Sequence, residues 1–207
     1  MPKTMKNHNL KKHKLVELSE ALFIEKGYEA TSIEDILKAS GLSKGGFYHY
    51  FKSKEEVLVE SMRSFAEGML MELEPIVEAE GVSALDKLNR FMEKKLQLQS
   101  SKKDLARYFV MLTQSDFTYY KYITTITEMF IRPFTAILQQ GVEEGIFMVE
   151  FPRETADLLL RAITSVPQST YYNEYLDNEE ASKRYKASIE AITTRALGID
   201  KKAIRIF

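Results

Sequence analysis

The sequence predicts an all-α protein of about nine helices, divided between a small N-terminal part and a larger C-terminal body. Three observations lead there. Apolar residues recur at the helical period along most of the 207 residues, and strand-like alternation is scarce. Start and stop signals, a Ser or Thr with Glu three residues on and a Gly at the far end, crowd the first third of the chain. The charge is also unevenly spread. Residues 1–54 carry ten lysines against six carboxylates, and the remainder carries 19 basic against 24 acidic side chains.

The first helix is predicted from about Leu10 to Lys26, with Leu15, Leu18 and Leu22 on one stripe and Phe23 beside it. Gly27 stops it as a left-handed cap. Thr31 caps a second helix of about two turns, with Glu34 completing a capping box and Ile33, Ile36 and Leu37 facing inward. Gly41 closes that helix, and Ser43 opens a third that lasts to Tyr50 or Phe51. Ser53 with Glu56 starts a long fourth helix from Lys54 to about Glu74, which Pro75 kinks or ends and Gly81 separates from the next. Further helices are predicted at 83–99, 103–114, 118–144, 153–175 and 178–197, the last capped by Asp177 with Glu180. The domain boundary implied by this pattern gives residues 1–53 and 54–207.

Composition narrows the function classes. Hydrophobic residues make up 44% and charged residues 29%, an ordinary globular balance. No apolar run approaches the ~20 residues that span a bilayer, and the basic N-terminus lacks the apolar stretch of a secretory signal. There is no cysteine, hence no disulfide framework or thiolate metal site. These features predict a cytoplasmic protein with no membrane partner. All three histidines fall within the first 49 residues, so the body offers no nucleophile–base pair or metal cluster. An enzyme is not expected, and neither is a cofactor.

The segment "SKGGFYHYF" raises a question, because Gly45 and Gly46 stand in the first turn of the third helix. Each costs about 1 kcal/mol of helix stability relative to Ala. Two short helices joined by a turn containing Gly41 make a helix-turn-helix, whose second helix enters the major groove of DNA. A missing Cβ in its first turn lets the backbone approach a groove closely, and free amides there accept phosphate. Lys44 can reach a guanine edge or a phosphate, and Tyr48, four residues on, offers a hydroxyl and a ring. Thr31 and Lys54 stand at the N-termini of neighbouring helices, where phosphates are favoured. Phe47 and Phe51 face inward as anchors.

Residues 10–58, and above all "TSIEDILKASGLSKGGFYHYFKSKEEVL", resemble the DNA-binding domain of the tetracycline-repressor-like (TetR) transcriptional regulators. Gly27-Tyr28, Thr31, the Ala39 to Ser43 turn, Tyr48, Phe51 and Lys54 carry the likeness. The resemblance implies DNA-contacting positions at Thr31, Lys44, Gly45, Tyr48, Tyr50 and Lys54, beside the Ser43 cap. The family usually has Ser or Thr where Gly46 stands, which alters base preference. It often has His where Tyr50 stands, and here His49 precedes it, so either member of that pair meets a phosphate.

Between residues 105 and 135 lie eight aromatic residues. Most serve a helical core, yet Tyr, Phe and Met together also suit a large, mostly apolar ligand. Candidate ligand-lining residues are Met69, Tyr108, Phe109, Met111, Phe130, Phe134 and Tyr171. The resemblance further implies that the last two helices pair with those of a second copy. The homodimer would present its recognition helices to a palindromic operator in double-stranded DNA, as a repressor released by a small-molecule effector. The alternative is a helical interaction module without a specific DNA target.

Overall fold

The structure, a computed structural model, describes residues 3–101, 116–165 and 178–200, which contain eight helices and no strand. They are α1 (Lys3–Lys26), α2 (Ile33–Ser40), α3 (Lys44–Tyr50), α4 (Lys54–Glu78), α5 (Ala84–Ser101), α6 (Asp116–Glu143), α7 (Pro152–Thr164) and α8 (Glu179–Leu197). The helix expected at 103–114 lies outside the described residues, as does the end of that expected at 153–175. The chain divides into two compact units. One is Met1–Phe65 with Asp104–Tyr122, and the other is Ala66–Lys103 with Ile123–Phe207.

In the first unit α1 packs on α2, and the core gathers Leu15, Val16, Phe23, Ile36, Phe47 and Phe51. The first three turns of α4 join it through Val57, Leu58 and Met62, all fully buried. The buried line of α1 runs through Leu15, Ser19 and Phe23, leaving Leu18 and Leu22 half-buried. Ser19 is accommodated inside because its hydroxyl donates to the Leu15 carbonyl at 2.8 Å. The Ser61 hydroxyl donates to the Glu20 carboxylate at 2.8 Å, tying α1 to α4.

Two caps sit one residue later than the sequence pattern indicates. Ser32, not Thr31, is the N-cap of α2: its hydroxyl accepts the Asp35 amide at 3.1 Å, and Asp35 takes the Ser32 amide at 3.0 Å. The box is therefore Ser32 with Asp35 rather than Thr31 with Glu34. The Lys26 ammonium also holds the Asp35 carboxylate at 2.9 Å. These bonds, the Ser32 amide first, keep Asp35 well below the usual carboxylate range. Asn178 likewise caps α8 by accepting the amides of Glu180 and Ala181, in place of the expected Asp177. The other cap signals match the sequence reading. Gly41 takes φ +67 and returns its amide to the Leu37 carbonyl, a left-handed stop that a residue with a Cβ resists. Ser43 caps α3, and Ser53 accepts the Glu56 amide at 3.2 Å. The end of the fourth helix departs from the expectation: Pro75 lies within α4, which runs on to Glu78 rather than stopping near Glu74.

The second unit is built around Phe91 of α5, whose ring lies 6.4 Å from Phe130 and 6.0 Å from Phe134 of α6. Leu73, Leu88, Ile137 and Leu138 complete this core. After α6 the chain turns back on itself, and the amides of Ile146 and Phe147 both donate to the Gly141 carbonyl. A Cβ at Gly141 would stand 2.0 Å from the Phe147 ring, so only glycine lets that buried ring close the turn. The Met148 amide then bonds the Leu197 carbonyl at 2.8 Å, fastening the connection to the end of α8.

Candidate DNA-binding surface

The N-terminal turn of α3 faces outward. Ser43, Lys44 and Gly45 are exposed, and Phe47 and Phe51 beneath them are buried with rings 6.3 Å apart. The hydrophobic side of a seven-residue helix is thus fully used in holding it, and the opposite side is free. The Ser43 hydroxyl accepts the Gly46 amide at 3.1 Å, and the Ser43 carbonyl takes that of Phe47. The amides of Lys44 and Gly45 have no acceptor within a helix that starts at Lys44.

The two glycines differ. A Cβ built on Gly45 would meet nothing within 4 Å, so the protein's own packing gives no reason for glycine there. A Cβ on Gly46 would lie 3.3 Å from the Ser43 hydroxyl, a tight fit against the cap. Lys44, Gly45 and Tyr48 line one open face. Tyr48 is 45% exposed, its ring edge-on to Phe47 at 5.4 Å. Among the described residues no carboxylate pairs with Lys44, so its ammonium is available to an anion.

His49 and Tyr50 belong to a ring cluster that the sequence did not suggest. The ring of His8, near the start of α1, lies tilted at 4.8 Å from Tyr50 and edge-on at 5.3 Å from His49, and those two rings are 5.2 Å apart. The N-terminal turns of α1 thereby reach the far end of α3. His8 stands on another helix, distant along the chain from the other two, which leaves no local pattern to read.

Thr31 and Lys54 depart from the expected contact set. Thr31 is only 1% exposed, and its hydroxyl donates to the Gly27 carbonyl at 2.7 Å, so its side chain does not reach the surface. The Lys54 ammonium donates to the carbonyls of Tyr28 at 2.6 Å and Thr31 at 2.9 Å, and sits 4.2 Å from the Tyr28 ring centre. Partial burial lowers the Lys54 pKa, while burial, with Glu29 and Glu55 nearby, pushes the Tyr28 phenol up to about 12. Lys54 therefore braces the turn before α2 from the start of α4. Its partner Tyr28 lies 26 residues away in the chain, beyond the reach of any helix-terminus pattern. Lys12, in the basic run of α1, is similarly occupied: it pairs with Glu60 and lies 5.3 Å from the Phe51 ring centre.

Among the candidate ligand-lining residues, Met69, Phe130 and Phe134 are buried in the second unit. Tyr108, Phe109, Met111 and Tyr171 lie outside the described residues. No group of three or more metal-ligating side chains occurs among the described residues, and no described helix is long and apolar enough to cross a membrane.

Known proteins resemble the chain over most of its length. Residues 15–60 match the family model for bacterial regulatory proteins of the tetR family. Residues 100–189 match that for the tetracyclin repressor-like C-terminal domain. The HTH-type transcriptional repressor KstR2 of Mycolicibacterium smegmatis is 26% identical over 98% of this chain and 99% of its own length. A TetR-family regulator from Syntrophomonas wolfei superposes with a TM-score of 0.69 at 20% identity, over 93% of this chain and 98% of that one. The Bacillus subtilis regulator FadR, solved in complex with stearoyl-CoA, gives 0.62 at 19% identity over 94% and 98%. Two domains of one family, one on each side of the chain, together account for well over half of its length, and the protein belongs to the TetR family of transcriptional regulators.

Proposed function

We propose that this regulator is a homodimeric, cytoplasmic repressor. Two copies of α3 hold a palindromic operator, and a largely apolar small molecule in the C-terminal domain releases it. The observation that carries the DNA reading is the open face of α3, where Lys44, Gly45 and Tyr48 are held outward by two buried phenylalanines. Lys44 supplies charge to phosphate or guanine, and Tyr48 supplies a hydroxyl and a ring edge. Ser43 and Gly46 shape the first turn, and His49 and Tyr50 meet the flanking backbone.

Dimerisation through α7 and α8 is supported by their outer faces. Leu158 is 69% and Ile192 57% exposed, and Ala162 and Ala196, one turn further on each helix, are exposed as well. Apolar residues repeated at that spacing on two neighbouring helices suit a partner. A two-fold dimer would set its recognition helices ~34–36 Å apart, one turn of DNA. The effector reading draws on the apolar interior around Phe91, Phe130 and Phe134, and on the stearoyl-CoA held by the Bacillus subtilis relative. Because α4 supplies residues to both compact units, it is assigned the coupling. Ligand need only prefer the placement of α4 that suits DNA less.

The test is selection of genomic fragments on the purified protein, followed by gel shifts with the enriched sequence. Lys44→Ala and Tyr48→Ala should each lose the specific shift while elution volume and helicity stay those of the wild type. Wild-type affinity in both variants would refute the assignment of α3.

A further inference from the structure

The start of α1 carries more charge than the packing of the first unit uses. Before Glu17 the sequence holds five lysines, two histidines and no carboxylate, and α1 already begins at Lys3 with no acidic residue in its first turn. From His8 onward its first buried apolar residue is Leu15, and Leu10 is 69% exposed. About three turns of helix therefore precede the core, and a helix that short is marginal by itself. Polar groups moor it. The His8 ring lies 4.8 Å from Tyr50 and 5.3 Å from His49 on α3, and Lys12 pairs with Glu60 of α4 and lies 5.3 Å from the Phe51 ring centre. The neighbouring carboxylates are taken as well: Glu55 pairs with Lys121 at 3.0 Å, and Glu56 accepts the Lys52 amide at 2.7 Å. His13 lies 3.4 Å from Glu17. Lys11 and Lys14 remain exposed, and among the described residues no carboxylate pairs with either.

Like charges along one helix repel, so a carboxylate-free run of lysines costs stability unless a polyanion meets it. The position of this run selects the polyanion. His8 lies against the two residues of α3 assigned to the flanking backbone of the operator, and Lys11, three residues on, leaves α1 on an adjoining row. We propose that the start of α1 is a second DNA-contacting element, in which His8 and Lys11 hold phosphates beside the segment that α3 reads. Lys11 supplies charge, and an imidazole N–H of His8 supplies a hydrogen bond. Neither reads a base, so the element adds affinity and lengthens the contacted backbone without changing base preference. Lys14, further round the helix from His8, is assigned no contact. This rests on the reading of α3 as the DNA-binding helix.

The test uses the full-length protein. Fluorescence anisotropy is measured on the selected operator and on an unrelated duplex at several salt concentrations, with hydroxyl-radical footprinting of the operator. His8→Ala, Lys11→Gln and their double variant are compared with the wild type and with Lys14→Gln. All three positions are exposed, so thermal midpoints should stay those of the wild type. Lys11→Gln should bind both duplexes about threefold to tenfold more weakly, and the slope of log affinity against log salt should fall by about 1. His8→Ala should weaken both duplexes alike, whereas a role only in placing α3 would weaken the operator more. The double variant should lose backbone protection beside the α3 contacts, and Lys14→Gln should keep both affinity and slope. Wild-type affinity and slope in Lys11→Gln would overturn the proposal. So would an equal loss in Lys14→Gln, a loss in His8→Ala confined to the operator, or an unshortened footprint in the double variant. If Lys44→Ala still abolishes the specific shift in those cases, the α3 reading stands and only the α1 contact falls.

Discussion

Replacing Gly45 with alanine sets stability against function. The position is the second residue of α3, its φ is not left-handed, and an added Cβ would meet nothing within 4 Å. No strain opposes the methyl, and the helix gains part of the ~1 kcal/mol by which Ala exceeds Gly in helices. For a chain of this length, about 0.5 kcal/mol raises the thermal midpoint by roughly 1–2 °C. If the missing Cβ exists so that the backbone can approach DNA, the same methyl pushes the groove away. A tenfold loss of affinity then requires only ~1.4 kcal/mol, about what one displaced contact supplies. The assay pairs circular dichroism melting with fluorescence anisotropy on the selected operator, at fixed salt because affinity depends steeply on it. A variant that melts at or above the wild-type temperature and binds at least tenfold more weakly is the expected result. Undiminished affinity would show that Gly45 has no steric role, and the reason offered for the glycine would be refuted.

Two more predictions separate brace from contact and charge from packing. Lys54→Met removes the ammonium from the carbonyls of Tyr28 and Thr31 and should destabilise the protein by about 1–2 kcal/mol. Measured well below the melting temperature, its operator affinity should fall less than that of Lys44→Ala, and an unchanged midpoint with an equal loss of affinity would contradict the bracing role. Burial of Lys95 on α5 gives it a folded-state pKa of about 8, below its unfolded value of ~10.4, so the unfolded chain binds more protons between those values. Wild-type stability relative to Lys95→Met should therefore rise between pH 8 and 10, by at most ~3 kcal/mol, and a flat difference across that range in urea titrations would show that the ammonium is not buried.

Much of the head was legible because its signals are local. Gly27 and Gly41 end helices where the pattern indicates, and Ser43 and Ser53 begin them, since caps act within four residues of chain. The one-residue shifts to Ser32 and Asn178 arose where two capping residues stand side by side. Sequence spacing is equally compatible with either, and backbone geometry chooses between them.

The sequence by itself determined the helical class, the helix-turn-helix, and an α3 whose inner face is Phe47 and Phe51, because periodicity and capping are properties of neighbours along the chain. Tertiary structure alone decided which polar groups are free. It withdrew Thr31 into the interior, gave Lys54 to the turn before α2, and brought His8 to His49 and Tyr50. Each of those outcomes depends on atoms that other parts of the fold bring up from further along the chain. A side chain's availability for a ligand is set by what has already claimed it in space, and no local pattern carries that information.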